Sequence, residues 1–486
     1  MTRLTCPELR RATFAVTVVA LAVFSAIGKA GPSVFPTGTT IYDPAKAWSG
    51  FTVLSPLQGQ AVLVIDMNGK VVKQWDGFNN SAGGPARVLP NGDVIAANGA
   101  RQGRQESVEL VQRDFDGKTI WNFDHNEELP TNDGKTIWSL RQHHDWQRED
   151  FPAGYYSPES SPARSGANTL ILTHTDRRVA AIAGDVLLGD DRLIEVSPTG
   201  QILWQWIAGD HIDELGFDTT ARASIRGARA GGARAGGARG DGARAGGGPR
   251  GGGPATGAPA FDWLHINSAT YVGPNRWFEA GDRRFAPNNV IISSREASLL
   301  AIVARDGSIV WRLGPNFLES DALRAIGQII GQHHAHLIPK GLPGAGNLMV
   351  FDNGGASGYG PPSGMAPRGT GVFARPSSRV LEIDPVSLKL VWSYTGGAQF
   401  FSTNISGAQR LPNGNTLITE GAGGRVFEVT SDRQIVWEWM NAPAAGTRTP
   451  ATVYRAYRIP YSWLAQVPRS QERAVTPPAN GDFKVP

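Results

Sequence analysis

The sequence predicts an all-β fold, a six-bladed β-propeller carrying a disordered Gly/Arg-rich insertion. Three observations lead there. A strand–turn–strand pattern ending in aromatic residues recurs six times along the chain. The composition is rich in turn-forming glycine (60) and in tryptophan (14). The shortest interval between repeats, about 45 residues, suits one four-stranded blade. With 41% hydrophobic and 19% charged residues, the chain has globular composition and ample apolar material for a core.

Residues 1–30 read as a signal peptide. Arg3, Arg10 and Arg11 precede an apolar run from Phe14 to Phe24, and small residues follow at Gly28, Ala30 and Gly31. The run is short for a membrane span, and no later stretch reaches the roughly 18 apolar residues a span needs. The mature chain is therefore expected to have no membrane span and to be periplasmic or secreted. Cys6, the single cysteine, lies inside the signal, which leaves no disulfide, thiol nucleophile or thiolate metal site in the mature chain.

The propeller domain is expected over 31–486. Its repeats are "VLVIDMNGKVVKQW" (62–75), "LVQRDFDGKTIWNF" (110–123), "LIEVSPTGQILWQW" (193–206), "LAIVARDGSIVWRL" (300–313), "VLEIDPVSLKLVWSY" (380–394) and "VFEVTSDRQIVWEW" (426–439). Each alternates apolar and polar residues on both sides of a short turn, the pattern of a β-hairpin. Between them "ARVLPNGDVIAANG", "ANTLILTHTD", "NNVIISSR", "GNLMVFDNG" and "AQRLPNGNTLITEG" predict five further hairpins. "VYRAYRIPYSWL" (453–464) would close the last blade, and "ESDALRAIGQII" (319–330) has the spacing of a short helix. Residues 219–260 form a Gly/Ala/Arg low-complexity insertion that cannot bury enough apolar surface to fold.

The net charge of +4 is unevenly spread. The signal carries +3 and the stretch 222–250 carries +6, so the remaining chain is near −5 and mildly acidic. Nucleic-acid binding by the folded body is not expected.

Six of the nine histidines fall at one point of the repeat, in "QHHDW" (142–146), "LHINS" (264–268) and "QHHAH" (332–336). Laid over one another, His144, His265 and His334 match, and His143 and His333 match one residue earlier. These strands would begin near the propeller axis, so the histidines should meet at one mouth of the channel. Three neutral imidazoles could hold zinc with an open fourth position. However, adjacent strand residues point to opposite faces, so His334 and His336 share a face with His333 turned away unless a bulge intervenes.

"DWLHINS", "IISSR", "QH-x-A-x-LI" leading into "VFDNG", and the opening "TIYDPAKAWSGFTV" together resemble the bacterial aryl-sulfate sulfotransferases, which are six-bladed propellers. The resemblance covers most of the chain outside the signal and insertion. It implies a PAPS-independent sulfotransferase that moves a sulfuryl group from an aryl sulfate to a phenolic acceptor through a covalent sulfohistidine. Carried over by motif, His333 is the nucleophile. His265, Asn267, Arg295 and His144 complete the catalytic set, and His334, His336, His143 and Ser406 contact substrate. No cofactor and no metal ligand are implied. A phenolic sulfate donor and a phenol acceptor are the expected partners, and a homodimer stays open.

One departure concerns the last active-site blade. The family has Thr before Ser there, whereas this chain has Ile405 before Ser406, so either Thr403 or Ser406 takes that contact or it is missing. Two other readings remain alongside. One is a zinc-dependent propeller lyase or hydrolase using the same pore histidines, and the other is a non-catalytic binding propeller.

Overall fold

The computed structural model describes residues 37–476 except 58, 80–82, 101–104, 131–133, 184–186, 220, 224, 226–260, 356, 358–373 and 444–449. The expected signal peptide and nearly all of the Gly/Arg insertion thus lie outside the described residues. The folded body reaches into the first part of the range read as insertion, because Ala221 and Ile225 are buried in a core cluster with Phe217 and Trp263.

The six aromatic repeats are hairpins as read, each antiparallel with one register shift beside its turn, from Ala61–Ile65 with Val71–Asp76 to Arg425–Val429 with Ile435–Met440. The intervening units divide differently from the sequence expectation. Arg87–Val88 with Val94–Ala100, and Gly407–Arg410 with Thr416–Glu420, are hairpins. Thr169–Arg177, Val290–Ser294 and Leu348–Asp352 are single strands, each paired with the histidine-bearing strand before it. The reason is visible in the sequence: "NNVIISSR" and "GNLMVFDNG" contain no internal turn, so their partner must come from upstream.

The fold is all-β and propeller-like. Among the described residues three sheets have four strands, one has five and one has nine, and a small ribbon has two. The nine-stranded sheet contains two four-stranded runs joined by the single pairing of Gln142 with Ser107. Strands far apart in sequence share sheets: Gly38–Tyr42 pairs with Ile435–Met440, and Val453–Ile459 pairs with Phe51–Pro56. A short helix, Asp321–Ile326, occurs inside the segment expected to be helical, with the Ser320 hydroxyl accepting from Leu323 N as its N-cap.

Packing explains why so many strands are continuously apolar. Successive residues point to opposite faces, and both faces are covered by a neighbouring sheet. Ile171 packs with Val94 and Leu110, whereas the adjoining Leu170 packs with Ile292 and Leu299. Ile291 and Leu300 in turn share a core cluster with Val350 and Leu381, as Phe351 does with Ile418 and Leu417 with Leu54.

The recurring tryptophans stitch this circuit. The indole Nε1 of Trp75 donates to Asp114 O, Trp121 to Pro198 O, Trp204 to Arg305 O, Trp311 to Pro385 O, Trp392 to Ser431 O and Trp437 to Met67 O. Each acceptor sits in the turn of the next repeat, and the sixth returns to the first. The Asp/Gly turn and the aromatic of the repeat are thus two halves of one inter-repeat contact.

Candidate active site

Three inner strands bring the histidines together, and all three are irregular. Register shifts fall between Gln142 and Trp146, between Ile266 and Ser268, and between His333 and His336. At the matching position in each, His144, His265 and His334 have left-handed backbones, with φ of 56°, 51° and 52°. Ile405 takes the same conformation (φ 50°) ahead of the fourth inner strand. A left-handed non-glycine residue is uncommon, and bulges of this kind re-aim side chains near active sites. The bulge therefore removes the simple alternation that would have turned His333 away from its neighbours.

The predicted residues form separate groups. The first holds His144, His265, His333 and Arg295. The rings of His144 and His265 lie 4.5 Å apart. His333 acts electrostatically on His144, and Arg295 acts on both His265 and His333. Arg295 is fixed to this group by its backbone N–H, which donates to His265 O at 3.0 Å, and its guanidinium pairs with Glu296. Asn267 ties two of the strands, donating from Nδ2 to Gln332 O at 2.6 Å. Its Oδ1 is enclosed without a partner. Gln332 in turn donates to Ser294 O and Leu299 O.

Hydrogen bonds set the tautomer of His333. Its Nδ1 faces two acceptors, Asn353 Oδ1 at 2.8 Å and Gly331 O at 3.1 Å. Asn353 is itself oriented by donation to Ser402 O and Ile405 O, so its oxygen points at the ring. Nδ1 therefore carries the proton and Nε2 keeps its lone pair. Burial, and after it the neighbouring Arg295 and Arg455 cations, hold His333 well below the usual histidine range, although Asn353 pulls the other way.

His265 is the opposite case. Burial alone would lower its pKa, but Asp262, with Oδ2 at 2.5 Å from Nδ1, more than offsets that and raises it. The same contact depresses Asp262 below the ordinary carboxylate range despite burial. One imidazole is thus held neutral and its neighbour is favoured as the cation. The Nε2 atoms of His144, His265 and His333 have no hydrogen-bond partner among the described residues, and none is among the fully enclosed atoms lacking one.

His334 and His336 belong to a second group with Tyr155, Tyr457, Arg87, Arg455 and Asp145. His336 donates from Nδ1 to His334 O and its Nε2 lies 3.0 Å from Tyr155 OH. His334 Nδ1 accepts from Ala408 N at 3.3 Å, and its Nε2 is 3.4 Å from Tyr457 OH. Gly407 is required beside it, because a Cβ there would stand 2.8 Å from His334 Nδ1. The buried Asp145 carboxylate accepts from Arg87 at 2.8 Å and Arg455 at 3.4 Å, and both guanidinium groups reach Tyr457 OH. A Cβ on Gly154 would lie 2.0 Å from Arg87 Nε, so only glycine, here with φ of 68°, lets this arginine pack.

The two remaining predicted residues are His143, whose Nδ1 lies 2.9 Å from His144 Nδ1, and Ser406. His143 stacks on His174 and approaches Asp191. Ser406 Oγ donates to Ser402 Oγ and accepts from Gly421 N, so its hydroxyl is engaged within its own loop. Thr403 is exposed. Sequence reasoning assigned no role to Asp262, Asn353, Asp145, Arg87 and Arg455. Asp262 and Asn353 do stand inside "DWLHINS" and "VFDNG", the strings that marked the site. A cleft of about 170 Å³ lined by Gln147, Glu195, Tyr271 and Arg305, among others, includes none of these histidines.

Fold and site together define a propeller-like protein with a histidine-rich centre built from the starts of its inner strands. A family model for arylsulfotransferase (ASST) matches residues 146–441, and the chain belongs to that family. No curated protein matches it. Among solved structures, a protein of unknown function from Bacteroides caccae is similar at 10% identity, covering 85% of this chain and 99% of that one, with a TM-score of 0.41. A streptogramin B lyase is similar at 10% identity over 85% and 86% of the two chains, with a TM-score of 0.34. The Cps50 (Swd1) β-propeller domain of Myceliophteria thermophila is similar at 8% identity over 85% and 90%, with a TM-score of 0.36. Superposition at this level is too loose to carry function across.

Proposed function

We propose that this chain is an exported, six-bladed aryl-sulfate sulfotransferase working through a sulfohistidine at His333, without a nucleotide sulfate donor. Family membership supports the reaction class. The blade count rests on the closed run of six tryptophan contacts and on treating the nine-stranded sheet as two blades. Among the described residues no helix is long and apolar enough to cross a membrane.

The observation that carries the mechanism is the pairing of a neutral, Nδ1-protonated His333 with a cation-favouring His265 next to Arg295. Sulfuryl transfer places negative charge on three peripheral oxygens, as phosphoryl transfer does, so positioning and charge complementarity are the main requirements. In the first half-reaction His333 Nε2 attacks sulfur, the N–S bond forms and the S–O bond to the aryl group breaks. His265 protonates the departing phenolate, whose pKa is near 10. In the second, neutral His265 takes the acceptor's phenolic proton, the acceptor oxygen attacks sulfur and the N–S bond breaks. Arg295 and Asn267 hold the sulfuryl oxygens, and His144, against His265, completes the wall. His334 is the weaker nucleophile candidate because both of its ring nitrogens face hydrogen-bond partners.

The direct test is p-nitrophenyl sulfate in the absence and presence of phenol. The expected result is stoichiometric p-nitrophenol release with a sulfuryl adduct on the His333 peptide by mass spectrometry, then sustained turnover when phenol discharges it. Turnover with no adduct at any histidine would overturn the covalent route. Hydrolysis that ignores phenol would overturn the transferase reading.

The pH profile follows from His265. Because its pKa is raised, its acid form persists above the ordinary histidine range, and activity should decline only as pH rises through that raised value. Replacing Asp262 with asparagine removes the group that raises it and leaves the burial that lowers it. D262N should therefore move the alkaline limb to lower pH and reduce kcat at pH 8 by about 10²-fold. An unmoved limb would assign the proton to another group.

A further inference from the structure

We infer that His143, His174 and Asp191 form a binding site for a divalent cation of the zinc class, directly behind the histidine wall of the active site. The three residues come from three consecutive strands of one sheet, Gln142–Arg148, Thr169–Arg177 and Leu188–Val196, and His174 and Asp191 are register partners across the last two. All three side chains are buried, and one ligand atom from each lies within 4.8 Å of the others.

The same three atoms, His143 Nε2, His174 Nε2 and Asp191 Oδ1, are enclosed and lack a hydrogen-bond partner. Asp191 Oδ1 is 3.2 Å from His143 Nε2 and 3.8 Å from His174 Nε2, close enough for an ion pair but not aligned as hydrogen bonds. Leaving three buried polar atoms unpaired at one point costs free energy, and a cation accepting all three lone pairs removes that cost.

The surroundings match what metal-bound histidines need. A ligating imidazole usually donates its other N–H to a fixed acceptor, often a carboxylate. His174 Nδ1 lies 3.2 Å from Glu106 Oε1, and Glu106 is anchored by Arg141. His143 Nδ1 lies 2.9 Å from His144 Nδ1. Asp191 has its other oxygen occupied by Ile266 N at 3.0 Å, which leaves Oδ1 for the ion. Two imidazoles and a carboxylate suit zinc, cobalt and related ions more than magnesium or calcium. The two rings now stack at 3.7 Å with 10° between planes. A metal in the plane of both requires them to tilt apart, so occupancy would splay this stack.

The site also has a consequence for its neighbour. Metal on His143 Nε2 places that ring's proton on Nδ1, which must then donate to His144 Nδ1. His144 is left with its proton on Nε2. Without metal, a proton on His143 Nε2 directed at Asp191 reverses the arrangement and leaves His144 Nε2 bare.

The test uses the untagged full chain, stripped of metal and then titrated with zinc and, separately, cobalt. The expected outcome is one zinc retained per chain and a cobalt d–d spectrum of a low-coordinate nitrogen/oxygen site. X-ray absorption of the zinc form should show two imidazole nitrogens at about 2.0 Å. H174Q should reduce bound zinc to background, and E106Q should weaken binding by about 10- to 100-fold. The proposal is overturned if the wild-type chain holds no zinc above background, or if absorption shows no imidazole on the metal. A folded H174Q chain, judged by near-ultraviolet circular dichroism, that binds zinc like wild type overturns it as well. The wild-type spectra decide the matter even if the variants fail to fold. They are also independent of sulfotransfer, so loss of the site and loss of the proposed reaction are distinguishable.

Discussion

H333A is expected to lower phenol-dependent sulfotransfer by about 10⁴- to 10⁶-fold, the range seen when a covalent nucleophile is removed. The expectation rests on two separable properties of the site. The ring is buried and kept neutral, so its nucleophilic form is fully populated at neutral pH. Its orientation is imposed from Nδ1, because Asn353 Oδ1 and Gly331 O both demand a donor there. The second property gives a graded control. N353A leaves the nucleophile in place but removes its clamp, so kcat should fall by about 10- to 100-fold with little change in KM. H334Q should still form the adduct. If H333A retained adduct formation and H334Q lost it, the nucleophile would be reassigned by one residue. Kinetics with p-nitrophenyl sulfate and phenol, together with peptide mapping, read all three variants.

The second large effect is on stability. D145N should destabilise the fold by about 3–5 kcal/mol, the usual cost of removing one partner from a buried ionic cluster. Asp145 is fully buried and is the shared acceptor for Arg87 and Arg455, two guanidinium groups that each already carry two enclosed nitrogens without partners. Without the carboxylate's charge, both cations remain desolvated with only neutral acceptors, the asparagine amide oxygen and Tyr457 OH, in reach. The cluster joins strands far apart in sequence, Arg87 to Tyr457 being 370 residues, so its loss should loosen the closure of the whole circuit. Chemical denaturation by tryptophan fluorescence measures the change. As a control, K340A removes the exposed partner of Glu279 and should leave the midpoint unaltered. Equal behaviour of D145N and the control would mean that water or a mobile ion already neutralises the arginines.

Much of this architecture was legible because local chemistry and tertiary packing agree. The "DG-x-x-x-W" repeat reports a turn and an indole that meet across neighbouring repeats, so its periodicity marks the fold directly. The matching of His144, His265 and His334 was also readable, and it corresponds to one shared backbone conformation. Three intervening units misled because alternation alone does not say whether a strand's partner lies before or after it. "NNVIISSR" lacked the turn that would have made it a hairpin. The bulges were invisible, since nothing in "QHHAH" announces a left-handed residue.

The partners that give each histidine its character were harder still. Asp262 and Asn353 were in plain view within quoted strings, but their roles exist only where strands meet. His174 stood in "LTHTD", outside the aligned trio, and only the register of Thr169–Arg177 against Leu188–Val196 puts it opposite Asp191. The contact between Arg87 and Arg455 through one carboxylate has no sequence signature at all.

The left-handed histidines have one more consequence. At φ near +50° every side chain except glycine is held against a steric preference of roughly 1–2 kcal/mol. At His144, His265 and His334 the backbone taken alone would therefore prefer glycine, and the contacts of the rings oppose that preference. Glycine at any of them would relax the backbone and remove the imidazole in one step. The imidazoles thus stand there against the pull of the backbone, held by partners such as Asp262. In relatives of this chain, the residue at this single bulge position is accordingly the place to look first when asking whether a propeller of this shape still performs a reaction or has become a scaffold.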